Sequence, residues 1–237
     1  TTVVVAGNFD SRKMAKLIKD QFSGLDKGKK FGKAKTDDSQ SKAQVLVKFK
    51  KSDQTHLIVG VRSYPLLHKD YPVLGVMASV LGGGMSSRLF QKVRTEMGLG
   101  YYVRAANDSF TDHGMFAASA GVVNERAVEA VSAILAEFKR LKTDAVPALE
   151  LKKAKDMMAG RLMLGLESSD EIAEFFGFQE ILRKELSTPE DLVERMMKVT
   201  ARDIQRVASL IFTTDKLNLA LIGPWKDDKE FQKVLKL

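Results

Sequence analysis

Val3, Val4, Val5 and Ala6 form an apolar run stopped at Gly7, Asn8 and Phe9, which predicts a buried strand and a turn. Residues 11–22 then carry helical periodicity, with Asp10 placed to cap the first turn. Residues 44–50 alternate apolar and polar, residues 55–61 are apolar again, and Lys51, Ser52 and Asp53 join them in a polar turn. That pattern predicts two strands forming an antiparallel pair. A helical stretch at 71–81 runs into Gly82-Gly83-Gly84, a second at 86–97 follows, and strands at 101–106 and 114–122 are expected across a loop holding Asn107, Asp108 and Asp112. The remaining third reads as helices, with Val128, Val131, Leu135 and Phe138 on one stripe and starts marked by Ser168/Glu171, Thr188-Pro189 and Thr200/Asp203. Hairpin-paired strands followed by a block of helices predict an α+β fold, a largely antiparallel sheet packed with helices.

Leu219, Ala220, Leu221, Ile222, Gly223, Pro224 and Trp225 repeat the opening pattern of strand, glycine, turn residue and aromatic, and an amphipathic stretch at 227–235 follows as the helix did. A tandem duplication gives this recurrence, and so do two similar junctions arising separately. Between the copies, residues 25–43 mix Lys27, Lys29, Lys30, Lys33 and Lys35 with glycine and end in an acidic pair, without apolar periodicity. On the duplication reading, residues 1–24 are the tail of a preceding homologous half, 25–43 a linker, and 44–237 the α+β domain.

The chain has 237 residues, 44% of them hydrophobic, so a sizeable core is possible and a disordered or fibrous chain is excluded. Its net charge of +8 comes from 38 basic and 30 acidic residues that are interspersed. A basic nucleic-acid-binding module would rest on that charge and the lysine tract alone; the tract holds one aromatic, Phe31, and no stacking series, so no nucleic-acid partner is expected. There is no cysteine, which removes disulfides and thiolate metal sites. His56, His68 and His113 are too scattered for a helical zinc motif, so no metal is expected in this chain. His56 reads as a strand residue and His68 as a structural residue beside Asp70. Glu167, Asp170, Glu171 and Glu174 complement a helix N-terminus, and Met157, Met158, Met163, Met196 and Met197 fill a core. No apolar run reaches the length of a bilayer span. The first residue already lies inside an apolar pattern and is not Met, so the chain is read as part of a longer protein.

Residues 81–101 carry the most chemistry. They match neither G-x-x-x-x-G-K-[ST] nor G-x-G-x-x-G, so a phosphate cradle is excluded. Three glycines permit a sharp break between helices, the second helix should end at Gly98, and a strand starts almost at once. Arg94 and Tyr101 therefore flank one helix-to-strand corner. A guanidinium and a phenol there can bind a peptide carbonyl and steady an oxyanion; a surface arginine and a half-buried strand tyrosine are the plainer alternative.

The Gly-rich break, the Ser87-Arg88-Leu89-Phe90 helix start, Arg94, and Gly98-Leu99-Gly100-Tyr101 together resemble the pitrilysin/insulinase-type zinc metallopeptidases, the inverzincins, in their C-terminal half. The family includes mitochondrial processing peptidase and the core proteins of the cytochrome bc1 complex. The opening strand, Gln54-Thr55-His56 and the closing strand extend the resemblance over most of the chain. It implies two similar halves facing each other across a chamber, with zinc and a glutamate base on an H-x-x-E-H helix of the first half. That helix is absent here, so the cofactor implied is zinc held by an N-terminal half in cis or by an active subunit in trans, in a homo- or heterodimer. Arg94 and Tyr101 are then expected to grip the peptide backbone and stabilise the transition state, beside Gly82, Gly83 and Gly84 as further substrate-binding positions. This chain alone should be inactive. A non-catalytic partner or scaffold subunit of the same fold is the alternative. A bacterial periplasm or cytoplasm is expected before a mitochondrion.

Overall fold

Alternation along the strands decides which face of the sheet is buried. Leu57, Val59 and Val61 are almost fully buried, as are Leu217, Leu219 and Leu221, while His56, Ile58 and Ile222 between them stay exposed. These strands belong to a computed structural model that describes every residue except Lys27, Lys30 and Lys184. The sheet contains β1 (Gln44–Phe49), β2 (Gln54–Ser63), β3 (Gly100–Ser109), β4 (Gly114–Val123) and β5 (Leu217–Gly223), in the order β1-β5-β2-β4-β3. Only β1 and β5 run parallel; every other neighbour is antiparallel.

The expected β1–β2 pair does not form. Lys48 and His56 both lie opposite Ile222, so β5 is inserted between the two strands. Leu217, Leu219 and Leu221 bury one face of β5, and a central position gives its backbone two ladders rather than one. Asn107 and Asp108 also leave the expected loop, because β3 continues to Ser109.

Helices cover the buried face. α2 (Tyr71–Gly82) is apolar nearly all round and packs between β3 and α4 (Ala148–Leu164). α3 (Ala127–Thr143) presents Val131, Ile134 and Phe138 to the core, and α7 (Ala201–Ile211) presents Ile204, Val207 and Ile211. Phe138 stacks on Phe212 with centroids 4.4 Å apart, and Phe116 meets both edge-on. Asp70 is buried at the head of α2 and takes a fork of bonds from Arg206 on α7, at 2.9 and 2.7 Å. The guanidinium holds the Asp70 carboxyl below its ordinary range.

The helix starts follow their local signals. Asp10 Oδ1 accepts from Arg12 N and Lys13 N at the head of α1 (Ser11–Phe22). Ser168, Thr188 and Thr200 form capping boxes at α5 (Ser169–Leu182), α6 (Pro189–Met197) and α7. α8 (Lys229–Val234) closes the chain with Phe231 buried against Trp225. The opening run differs from expectation: Val3, Val4 and Val5 are partly exposed and join no strand among the described residues. The described residues of 25–43 carry no regular element; Lys27 and Lys30 lie outside the described residues. The later part of this segment is tethered, since Thr36 N donates to Asp112 and Gln40 Nε2 to the carbonyls of Asp215 and Leu217.

Candidate functional site

α2 reaches Gly82 pressed against β3. A Cβ there would strike the backbone at Arg104 and Ala105, with Arg104 C only 2.7 Å away. At Gly83 the added atom would lie 2.6 Å from Ser79 O. Neither glycine adopts a left-handed φ, so close approach rather than a special conformation demands them. Gly84 sits beside Met157, and all three glycines are half-buried.

Beyond them Arg88 forks onto Glu150 of α4 at 2.7 and 2.9 Å, tying the next segment to the helical layer. Residues Phe90–Glu96 form a helix wound more loosely than an α-helix, ending in a bond from Met97 N back to Lys92 O at 3.1 Å. Such π-helical turns fit an extra residue into the helix and recur at functional sites. Leu89, Val93 and Leu99 anchor this segment in the core. Arg94 is exposed, its guanidinium 4.8 Å from the centre of the Phe90 ring. Gly98, at φ +60, stops the winding in the left-handed region, and Arg126 Nη1 donates to Met97 O at 2.9 Å.

The strand that follows starts with an irregularity. Gly100 lies opposite Val122 and Tyr102 opposite Gly121, so Tyr101 is the extra residue of a β-bulge. Bulges re-aim side chains beside active sites, and Tyr101 is 58% exposed. Its neighbour Tyr102 is held down. Gly121 lies opposite both His56 and Tyr102, and a Cβ on Gly121 would come within 2.5 Å of the Tyr102 ring and 3.3 Å of His56 Nδ1. The missing side chain lets the two rings meet, with His56 Nδ1 3.2 Å from the Tyr102 hydroxyl. The structure thus places Arg94 and Tyr101 on the two sides of one corner, each on an irregular piece of backbone. His56, Gly121 and Tyr102, absent from the sequence-derived site, brace that corner. A glycine inside an apolar strand was the available signal, since such glycines mark close approaches.

No metal centre can be built from these side chains. His56 engages Tyr102; His68 Nδ1 accepts from Asp70 N at 3.1 Å and its ring stacks on Tyr64; His113 Nδ1 lies 3.0 Å from Thr36 Oγ1 and 2.9 Å from Asp112. No group of three or more His, Cys, Asp or Glu among the described residues is arranged to hold an ion. The described residues therefore offer no set of ligands for a zinc ion, which the resemblance assigns to a preceding half or a partner subunit and not to this chain. Among the described residues, no helix is long and apolar enough to cross a membrane.

Residues 1–158 match the family model described as the peptidase M16 inactive domain. The uncharacterized zinc protease YmxG of Bacillus subtilis is 33% identical over 223 residues, covering 94% of this chain and 53% of the relative. The chain spans about half the length of the curated relatives it matches. Among solved structures, a protease from Helicobacter pylori superposes with a TM-score of 0.84 at 24% identity, over 92% of this chain and 54% of that one. A chain of complex III from Candida albicans gives 0.77 at 16% identity, over 98% of this chain and 57% of its own length. At those identities the likeness is one of fold. With two thirds of its length matched by the family model, the chain belongs to the peptidase M16 inactive-domain family.

Proposed function

We propose that this chain is the non-metal half of a zinc-dependent peptidase and completes an active site whose metal and water-activating groups lie in a preceding half or a partner subunit. Arg94 binds the substrate backbone: its guanidinium is permanently charged and offers a planar fork of donors to peptide carbonyls. Tyr101 donates its phenolic hydrogen to the oxyanion of the tetrahedral intermediate. The half-buried glycines Gly82, Gly83 and Gly84 offer backbone to the peptide beside the corner. Residues 1–24 belong to the preceding half on this reading, and 25–43 join it to the domain that starts at residue 44.

The observation that carries the proposal is the exposure of Tyr101 as the extra residue of a bulge, directly after a π-helical turn that presents Arg94. A core or ladder role would have kept the tyrosine in register. A donor fixed before reaction avoids the cost of reorganising around the developing charge. In the full-length protein, Tyr101→Phe should lower kcat on a cleavable peptide by about a hundredfold, since one such donor contributes roughly 3 kcal/mol. Arg94→Ala should act mainly on KM. Both variants should melt with the wild type, because neither side chain is buried.

A non-catalytic partner or scaffold subunit is the second reading, favoured by the fold shared with a complex III chain. It expects wild-type kcat from folded Tyr101→Phe, which would overturn the catalytic assignment.

A further inference from the structure

The N-terminal end of α2 borders a half-open cavity of about 630 Å³, lined also by the last turns of α4 and α6, the end of α5 and the loop after β2. It is separate from the corner at Arg94 and Tyr101. The 12 residues of α2, roughly 18 Å of helix, lie between this cavity and the glycine break. Its floor is apolar: Leu66, Tyr71, Pro72, Met158, Leu162 and Met196. Its rim is cationic, with Lys69, Arg161, Arg183 and Arg195, and no carboxylate lines it among the described residues.

Three of those cations stand at helix C-termini, where they offset backbone dipoles. Each helix end carries only about half a negative charge, so the rim keeps a clear positive excess. Two of the arginines are posed rather than loose. Arg183 lies 5.3 Å over the Tyr71 ring, and Arg195 Nη2 donates to Ser187 Oγ.

We propose that this cavity binds a small amphipathic anion, a carboxylate with an unbranched apolar body. The volume falls in the range of small-molecule sites, and two methionines give the floor an adaptable surface. The polar side chains select the head group. His68 Nδ1 already accepts from Asp70 N, which leaves Nε2 as the N–H, and Asn107 Oδ1 already accepts from Ser63. The cationic groups of Lys69, Arg161, Arg183 and Arg195 and the N–H of His68 are donors only, while the Tyr71 hydroxyl and the second lone pair of Asn107 Oδ1 are the side-chain oxygens able to accept, so the lining favours a head that accepts many bonds and donates none. A peptide would bring N–H groups that need acceptors, and burying them unpaired is costly. The same anion can be offered free or as part of an anionic bilayer; the free acid is the form a concave pocket of this volume admits, whereas a bilayer presents its head groups on a flat face, and the test separates the two sources.

The test is isothermal titration of the full-length protein with sodium decanoate below its micelle concentration. One saturable site is expected, with decanol weaker by at least about tenfold, because charge-assisted hydrogen bonds are lost. Leu67 lines the cavity yet is 58% exposed, so Leu67→Glu should fold normally while a like charge weakens decanoate by about tenfold or more. Arg161→Gln combined with Arg183→Gln should do the same. The proposal is overturned by absent saturation, by equal affinity for decanol, or by unaltered binding to folded Leu67→Glu. It is equally overturned if phosphatidylglycerol vesicles or an acidic peptide bind while decanoate does not. The site is independent of the peptidase reading, so loss of decanoate binding with intact proteolysis, or the reverse, identifies which assignment failed.

Discussion

At the C-terminal end, Leu219 and Leu221 are buried in a central strand, Trp225 packs edge-on against Phe231 at 4.8 Å, and Trp225 Nε1 donates to Thr55 Oγ1 at 2.8 Å. At the N-terminal end, Val3, Val4 and Val5 precede a glycine, an aromatic and a well-capped helix, yet they join no strand among the described residues and no side chain of α1 is buried. Val4 rests on α5, where a Cβ at Gly177 would meet it at 3.1 Å, and α5 itself leaves Phe178 and Ile181 exposed. A local pattern specifies the kind of element, while burial needs a partner surface. The closing copy has one in β1 and β2. If the opening copy belongs to a preceding half, its partner is that half's sheet.

The largest test of this contrast exchanges an apolar residue for a charge at matching positions. Leu219→Asp buries an unpaired carboxylate in the core and should cost more than about 4 kcal/mol, enough to unfold the isolated chain. Val3→Asp, at the matching position, should lower the unfolding free energy read from urea titration by less than about 0.5 kcal/mol, since Val3 is exposed. Similar midpoints for the two variants would remove the distinction.

Ion pairs sharpen it at a smaller scale. Asp70→Asn breaks the fork that ties α7 to α2 and should cost about 2 kcal/mol, the lower range for a buried pair because Arg206 is partly exposed. Folding lowers the Asp70 carboxyl's pKa, so its contribution is full above the ordinary carboxylate range and drains away as pH falls through the lower folded value. The stability gap between wild type and Asp70→Asn should therefore begin to narrow only as pH falls below about 4 and close once it passes below the depressed folded value. Lys33 also bonds Asp112, but that pair is exposed, and Lys33→Ala should leave the melting temperature unchanged.

Those contrasts show how far the sequence could be read. Helix starts at Asp10, Ser168, Thr188 and Thr200 were legible because a cap is settled within four residues. The antiparallel ladder of β3 and β4 was legible because a short loop joins them. The β1–β2 pairing was misread because the strand that parts them arrives from the far end of the chain. At the site, the Arg94–Tyr101 spacing marked the corner, but the π-helical winding and the bulge depend on how Leu89, Val93 and Leu99 seat in the core. The bracing of Tyr102 by His56 required the register of three strands, and residue patterns along one strand do not encode it.

The two glycines of the repeated pattern give a finer test. A Cβ on Gly223 would stand 2.6 Å from Thr55 Oγ1 and 2.9 Å from the Trp225 ring, so Gly223→Ala should cost about 1–3 kcal/mol by overpacking. Gly7 is held by its φ of +140, with Phe9 4.0 Å from an added Cβ as its nearest neighbour. In the isolated chain Gly7→Ala should cost well under 1 kcal/mol, since an unpaired segment relaxes its backbone freely.

The smallest effect is the one that locates the missing partner. Leu17 lies on α1 and is 53% exposed, so Leu17→Ala removes little buried surface from the isolated chain and should change stability by less than about 0.5 kcal/mol. In a longer protein carrying the preceding half, the same helix should pack as α8 packs here, where Phe231 is fully buried. There the loss of the leucine should rise to about 2 kcal/mol or more, the ordinary cost of a core truncation. Melting curves of both variants in both contexts read this directly. An effect that stays near zero in the longer protein would show that α1 is a surface helix in its own right, and would end its assignment to the preceding half.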